Sequence, residues 1–205
     1  MDDQPAGKRE GGALKWSLWG VGLAGVAAVV YIMAQASIQP AGSSDLKHLA
    51  KGQMAKLARP ADAGPAPATT FYDANGAPKR LADFRGKVVV MNIWATWCAP
   101  CVVEMPTLAK LAAEYKGRPV DVVAVSIDRL DARDKAKAFI AQHAPLAFYN
   151  DPNAKMPFSL TPAAGGVPTT VIYGKDGAEF ARLSGDADWS GHDAKAVVDA
   201  ALAAD

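Results

Sequence analysis

Val88-Val89-Val90-Met91-Asn92-Ile93-Trp94-Ala95-Thr96-Trp97-Cys98-Ala99-Pro100-Cys101 holds the only two cysteines of this 205-residue chain, with two residues between them. Val88 to Ile93 is apolar, rich in β-branched residues and too short for a helix, which predicts a buried strand. Beyond Cys101 the spacing turns helical, with Leu108, Leu111, Ala112 and Tyr115 at i, i+3, i+4 and i+7. Both cysteines therefore fall where a strand ends and a helix begins. Unpaired N–H groups and the positive end of the helix dipole favour an anion there. The Cys98 thiol should then ionise more readily than a free cysteine. A thiolate facing a second thiol is set up for thiol–disulfide exchange.

A C-x-x-C pair also admits other readings. A structural disulfide here would close a tiny ring and constrain the unfolded chain little. A zinc site lacks a second cysteine pair, and His48, His143 and His192 are scattered. Two thiolates with a Met or His could bind copper, which soft-ligand chemistry permits. None of the histidines makes a triad with Cys98, which disfavours a cysteine hydrolase.

With 22 basic and 21 acidic side chains the net charge is +1, and nothing in that balance points to nucleic acid. Two cysteines exclude a disulfide scaffold. From Trp16 to Ile38 there is no charged residue. As a helix that segment would span about 35 Å, enough for a hydrocarbon core of roughly 30 Å. Trp16 and Trp19 lie near one end and Tyr31 nearer the other, as interfacial rings would. This predicts a tail at 1–15, a transmembrane anchor at 16–38, a spacer and linker at 39–67 and a folded domain at 68–205. The competing reading is a cleaved signal peptide, since Ala34-Gln35-Ala36 resembles a small-x-small cleavage site. Positive charges flank the segment about equally, but the short tail and the abutting Lys15 favour N-terminus in. Either reading exports the same domain. In the spacer, Ser44 to Arg59 has the spacing of a short amphipathic helix, and Pro60 to Pro67 reads as a semi-stiff linker.

Within the domain, Thr69–Tyr72 and Lys79–Leu81 read as a hairpin about Asp73-Ala74-Asn75-Gly76, followed by a helical turn at Leu81–Gly86. A second buried strand runs from Val120 to Ile127 and ends at Asp128, with a helix from about Asp131 to His143. A short strand near Ala147–Tyr149 and a short helix near Asn153–Phe158 follow. Thr170–Tyr173 and Glu179–Leu183 form a hairpin, and the last helix covers about Trp189 to Ala203. Strand–helix–strand units first and a hairpin plus helix afterwards predict an α/β fold: a central mixed sheet with helices on both faces.

Trp94-Ala95-Thr96-Trp97-Cys98-Ala99-Pro100-Cys101, then Glu104 and Pro106, resemble the thioredoxin superfamily and within it the membrane-anchored TlpA/ResA-like thiol–disulfide oxidoreductases. Leu81-Ala82-Asp83-Phe84-Arg85-Gly86-Lys87 resembles that family's approach to its active-site strand, and Gly166-Val167-Pro168-Thr169-Thr170 its cis-proline loop. The resemblance covers about residues 68 to 203 and implies a thioredoxin-like fold. It implies Cys98 as the attacking thiolate and Cys101 as the buried resolving thiol, an order the helix-start position also supports. Pro168 is expected cis, with Val167 and Thr169 beside it presenting backbone to a substrate strand, and with Trp97 and Pro100 on the partner-facing side. Glu104, one turn beyond Cys101, is the expected proton relay, set against a solvated helix glutamate. Asn92 departs from ordinary thioredoxins, which place a buried aspartate there. Trp94 is expected to be core.

The implied activity is protein-disulfide reduction outside the cytoplasm, in cytochrome c maturation or cytochrome oxidase copper-site assembly, with a copper-binding chaperone as the alternative. No cofactor beyond the Cys98–Cys101 disulfide and no resident metal are expected. The implied partners are extracytoplasmic clients with disulfides and a thiol-type membrane electron donor. The implied location is the inner membrane, single-pass, with the catalytic domain in the periplasm.

Overall fold

The computed structural model describes residue 46 and residues 48–204; the tail, the expected anchor at 16–38 and the start of the spacer lie outside the described residues. Among the described residues no helix is long and apolar enough to cross a membrane. The elements in chain order are β1 (Phe71–Asp73), β2 (Pro78–Lys79), β3 (Val88–Trp94), α1 (Ala99–Glu114), β4 (Val120–Ser126) and α2 (Arg133–Ala141). After them come β5 (Tyr149–Asn150), α3 (Met156–Ser159), β6 (Thr169–Tyr173), β7 (Glu179–Ser184) and α4 (His192–Ala203). The strands make one mixed sheet in the order β2-β1-β5-β4-β3-β6-β7. β3 lies near its centre, parallel to β4 and antiparallel to β6, with all seven of its residues buried. The β-branched run at 88–90 thus does what two-sided burial requires.

Alternation along β3 divides the core. Val88, Val90 and Trp94 join one cluster with Leu108 and Leu111 of α1, Ala136 and Ile140 of α2, and Val197 and Val198 of α4. Val89, Met91 and Ile93 join the other, with Phe71, Leu81, Met156 and Leu160. Helices lie on both faces, as expected, but unequally. The steps β3 to β4 and β4 to β5 move the same way across the sheet, so right-handed crossovers carry α1 and α2 to the same side. The second side is covered by the 3-10 turn Leu81–Phe84 and the four-residue α3. The β1–β2 turn places Gly76 at φ 81°, and Asp73 Oδ1 accepts from the N–H groups of Asn75 and Ala77.

The stretch expected to be a free spacer and linker is built into the domain. Met54 is fully buried, and with Leu46 and Leu57 it belongs to the α1/α2/α4 cluster; its 3-10 turn, Gly52–Met54, packs on α4. Ala58 exchanges two backbone hydrogen bonds with Arg182, at 2.9 and 2.7 Å, and Ala66 N donates to Gly177 O at 2.8 Å. These residues cover the outer edge of β7, which would otherwise expose unpaired backbone groups. Proline and alanine between the contacts hide this from composition.

Candidate active site

β3 ends at Trp94, four residues short of Cys98, and α1 starts at Ala99. Cys98 is the N-cap residue of α1, with extended backbone, and its Sγ accepts from Cys101 N at 3.3 Å. The sulfur thus occupies the position where a helix stabilises negative charge. Pro100 sits in the first turn, where its missing N–H costs nothing. Cys98 and Cys101 are joined as a disulfide with an S–S distance of 2.00 Å. Cys101 is fully buried and Cys98 is 6% exposed, so both are largely covered. Trp97, 67% exposed, stands next to Cys98, whereas Trp94 is buried against Phe139 at 5.4 Å between ring centroids. α1 continues through Pro106 to Glu114.

The loop between β3 and α1 is held from β4. Asp128, buried, accepts from Thr96 N at 2.9 Å, from Thr96 Oγ1 at 2.8 Å and from Ser126 Oγ at 2.8 Å. Its own C=O accepts from Asn150 Nδ2 at 2.8 Å. A side chain just beyond the end of the neighbouring strand therefore fixes the residue two before Cys98.

Glu104 is one helical turn past Cys101 and is buried, so the solvated-glutamate reading is set aside. Oε1 accepts from Asn92 Nδ2 at 2.8 Å; Oε2 accepts from Ala187 N at 3.2 Å and Trp189 Nε1 at 3.1 Å. These donors favour the carboxylate, but among the described residues no cation pairs with it. Desolvation outweighs them and pushes its pKa from 4.5 up to about 7. Thr107 ties the same loop down a second time, its Oγ1 accepting from Trp189 N at 3.0 Å.

Val167–Pro168 is a cis peptide bond, as are Ala144–Pro145 and Thr161–Pro162. Pro168 O accepts from Gly185 N at 2.9 Å, and Thr169 Oγ1 donates to Gly166 O at 2.7 Å. β6 begins at Thr169, opposite Ile93, and Thr170 pairs with Asn92. Asn92 Nδ2 also donates to Thr170 Oγ1 at 2.9 Å. The strand after Pro168, the strand leading to Cys98 and the helix after it thus meet at one side-chain amide. His143 packs on Phe139 and His192 is solvent-exposed. Among the described residues no three His, Cys, Asp or Glu side chains cluster as metal ligands.

A model of the family described as Redoxin matches residues 61–197. Thiol-disulfide oxidoreductase ResA of Bacillus thuringiensis subsp. konkukian (strain 97-27) is 32% identical over 124 residues, covering 59% of this chain and 68% of the relative. The chain belongs to the redoxin family. It is a ResA/TlpA-like thiol–disulfide oxidoreductase of the thioredoxin superfamily. A thiol:disulfide interchange protein DsbE of Chlorobium tepidum shares the fold at a TM-score of 0.60, with 27% identity, covering 69% of this chain and 97% of the other. A DsbF homologue of Corynebacterium diphtheriae, 24% identical, matches the fold with a TM-score of 0.58, covering 71% of this chain and 92% of the other.

Around the redoxin disulfide, Asp128, Thr170, Thr107 and Trp189 were not singled out from sequence. Asp128 carried one usable signal, an acidic residue at the carboxyl end of the strand beside the C-x-x-C strand. Trp189 and Thr107 carried none, because each acts through a loop that folds back across more than eighty residues of chain.

Proposed function

We propose that this oxidoreductase reduces disulfides of extracytoplasmic clients, in cytochrome c maturation or in assembly of the cytochrome oxidase copper site. The observation that carries the reading is the Cys98–Cys101 pair at the start of α1, with a buried, cation-free Glu104 one turn on. In the reduced protein the Cys98 thiolate attacks a client disulfide. A Cys98–client bond forms, the client S–S bond breaks, and the departing client thiolate takes up a proton. Cys101 passes its proton to Glu104 and attacks Cys98 Sγ. The Cys98–Cys101 bond forms as the Cys98–client bond breaks, the second client thiolate takes up a proton, the client leaves as a dithiol, and two electrons have moved to it. Trp97, Pro100, Val167, Pro168 and Thr169 form the client-facing surface, with Val167 supplying backbone groups to a client strand.

A thiol-type donor in the membrane restores the dithiol, because an oxidising compartment would otherwise leave the pair oxidised. The segment at 16–38 anchors the chain in the inner membrane, N-terminus in, with the domain in the periplasm; its apolar length supports this.

The test is a trap in the native host with full-length Cys101→Ala. Cys98 should accumulate mixed disulfides with cytochrome c precursors or oxidase-assembly proteins, released by dithiothreitol. Absence of any dithiothreitol-sensitive adduct, with stoichiometric Cu(I) binding by the wild type and no insulin reduction, would replace the reading with a copper chaperone.

A further inference from the structure

Buried in β3, Asn92 leaves one polar atom without a partner. Its Nδ2 donates to Glu104 Oε1 and Thr170 Oγ1, while its Oδ1 is fully buried and unbonded. An orphaned acceptor in a native core calls for an explanation. The inventory around Glu104 supplies one. Its three partners, Asn92 Nδ2, Ala187 N and Trp189 Nε1, are all N–H donors and cannot accept. That set suits a carboxylate. A protonated Glu104 would turn an O–H toward Asn92 Nδ2, donor against donor.

Rotation of the Asn92 amide by half a turn trades that clash for a hydrogen bond and moves the two Nδ2 N–H groups to the buried, partnerless place that Oδ1 leaves. Oδ1 then accepts from the Glu104 O–H, and the Thr170 hydroxyl, which is both donor and acceptor, turns its hydrogen to the same oxygen. The orphan of one state becomes the acceptor of the other. An aspartate at this position would put a second acid against Glu104, and an apolar residue would serve neither state.

We propose that the Asn92 side-chain amide reverses when Glu104 takes up a proton, so that one residue holds both protonation states of the acid and reports the change to Thr170, two residues after Pro168. This rests on the reading of Glu104 as the proton carrier. Asn92 is a positioning residue in this scheme, acting through Glu104. Among the described residues the groups that act on Glu104 are the neutral Asn92 side chain of β3, Trp189 Nε1 and Ala187 N from the loop before α4, and one charge, Asp186.

The test uses the oxidised full-length protein, isotope-labelled, titrated from about pH 9 to about pH 5. Glu104 Cδ and the Asn92 side-chain amide are followed by NMR in the same samples. The two Asn92 Hδ2 signals, both hydrogen-bonded at high pH, should shift upfield together with the midpoint of Glu104. In Glu104→Gln they should not move with pH. If Glu104 titrates while both Asn92 signals stay hydrogen-bonded, the reversal is wrong and the role of Glu104 survives. If Glu104 does not titrate in this range, both are wrong.

Discussion

Two glutamates of this domain are buried to the same depth, each 2% exposed, and the fold treats them oppositely. At the β7 edge, Glu179 is gripped by Arg182, with Nε donating to Oε1 at 2.9 Å and Nη2 to Oε2 at 2.7 Å. The same guanidinium also donates to the carbonyls of Thr161 and Pro162. One helical turn past Cys101, Glu104 meets three neutral N–H groups and, among the described residues, no cation. A buried acid given a cation is fastened as a charge and serves architecture, here joining β7 to the loop before Pro168. A buried acid given only neutral donors can still change its charge near neutral pH, and that freedom is what proton transfer to and from a thiol requires.

Removing the cation tests the first half of that contrast most severely. Arg182→Met should cost about 3–5 kcal/mol in chemical denaturation, since Glu179 is left buried and unpaired. Adding Glu179→Met should recover part of the loss. A loss below about 1 kcal/mol for the single change would mean that Glu179 needs no cation, and the contrast fails.

The second half makes a pH prediction. Glu104 has a folded-state pKa raised from 4.5 to about 7. A carboxyl raised in this way binds its proton more tightly when folded. Its stabilising contribution is therefore complete below about pH 4.5 and is lost as pH rises through about 7. The shift corresponds to about 3 kcal/mol between those limits, as an upper bound. Denaturation of the oxidised protein at a series of pH values should show that decline, and Glu104→Gln should remove it.

A smaller effect separates the donors from the burial. Trp189→Phe deletes one N–H that favours the carboxylate, so the Glu104 midpoint should rise further, by a shift worth about 1 kcal/mol. An unchanged midpoint in the same NMR titration would show that the 3.1 Å bond to Trp189 Nε1 contributes nothing.

Much of the fold was legible because local pattern and burial agree. Val88–Trp94 is β-branched and apolar on both faces, and the change to helical spacing past Cys101 marks α1 within a residue or two. Cys98 and Cys101 could be singled out because spacing and position at a helix start point to thiol exchange, with the family resemblance implying their roles. The role of Asp128 could not, since nothing local ties it to Thr96, thirty-two residues earlier. The segment 46–66 misled for a different reason. Its proline, glycine and alanine content is that of a linker, while what keeps it in place is backbone pairing with β7 and the buried side chains of Leu46, Met54 and Leu57. The gathering of α1, α2 and α4 on one face depended on sheet order, which short elements such as the two-residue β5 decide and hydropathy barely marks.

The account stands on Cys98 being the thiol that the helix start activates while Cys101 waits behind it. Reduced full-length protein, exposed briefly to iodoacetamide across a range of pH and mapped by mass spectrometry, addresses this directly. Cys98 should carry the label first, with a reactivity midpoint below the free-cysteine value of about 8.5, and Cys101 should remain unlabelled in the folded protein. Equal labelling of the two, or a Cys98 midpoint at or above that value, would contradict it.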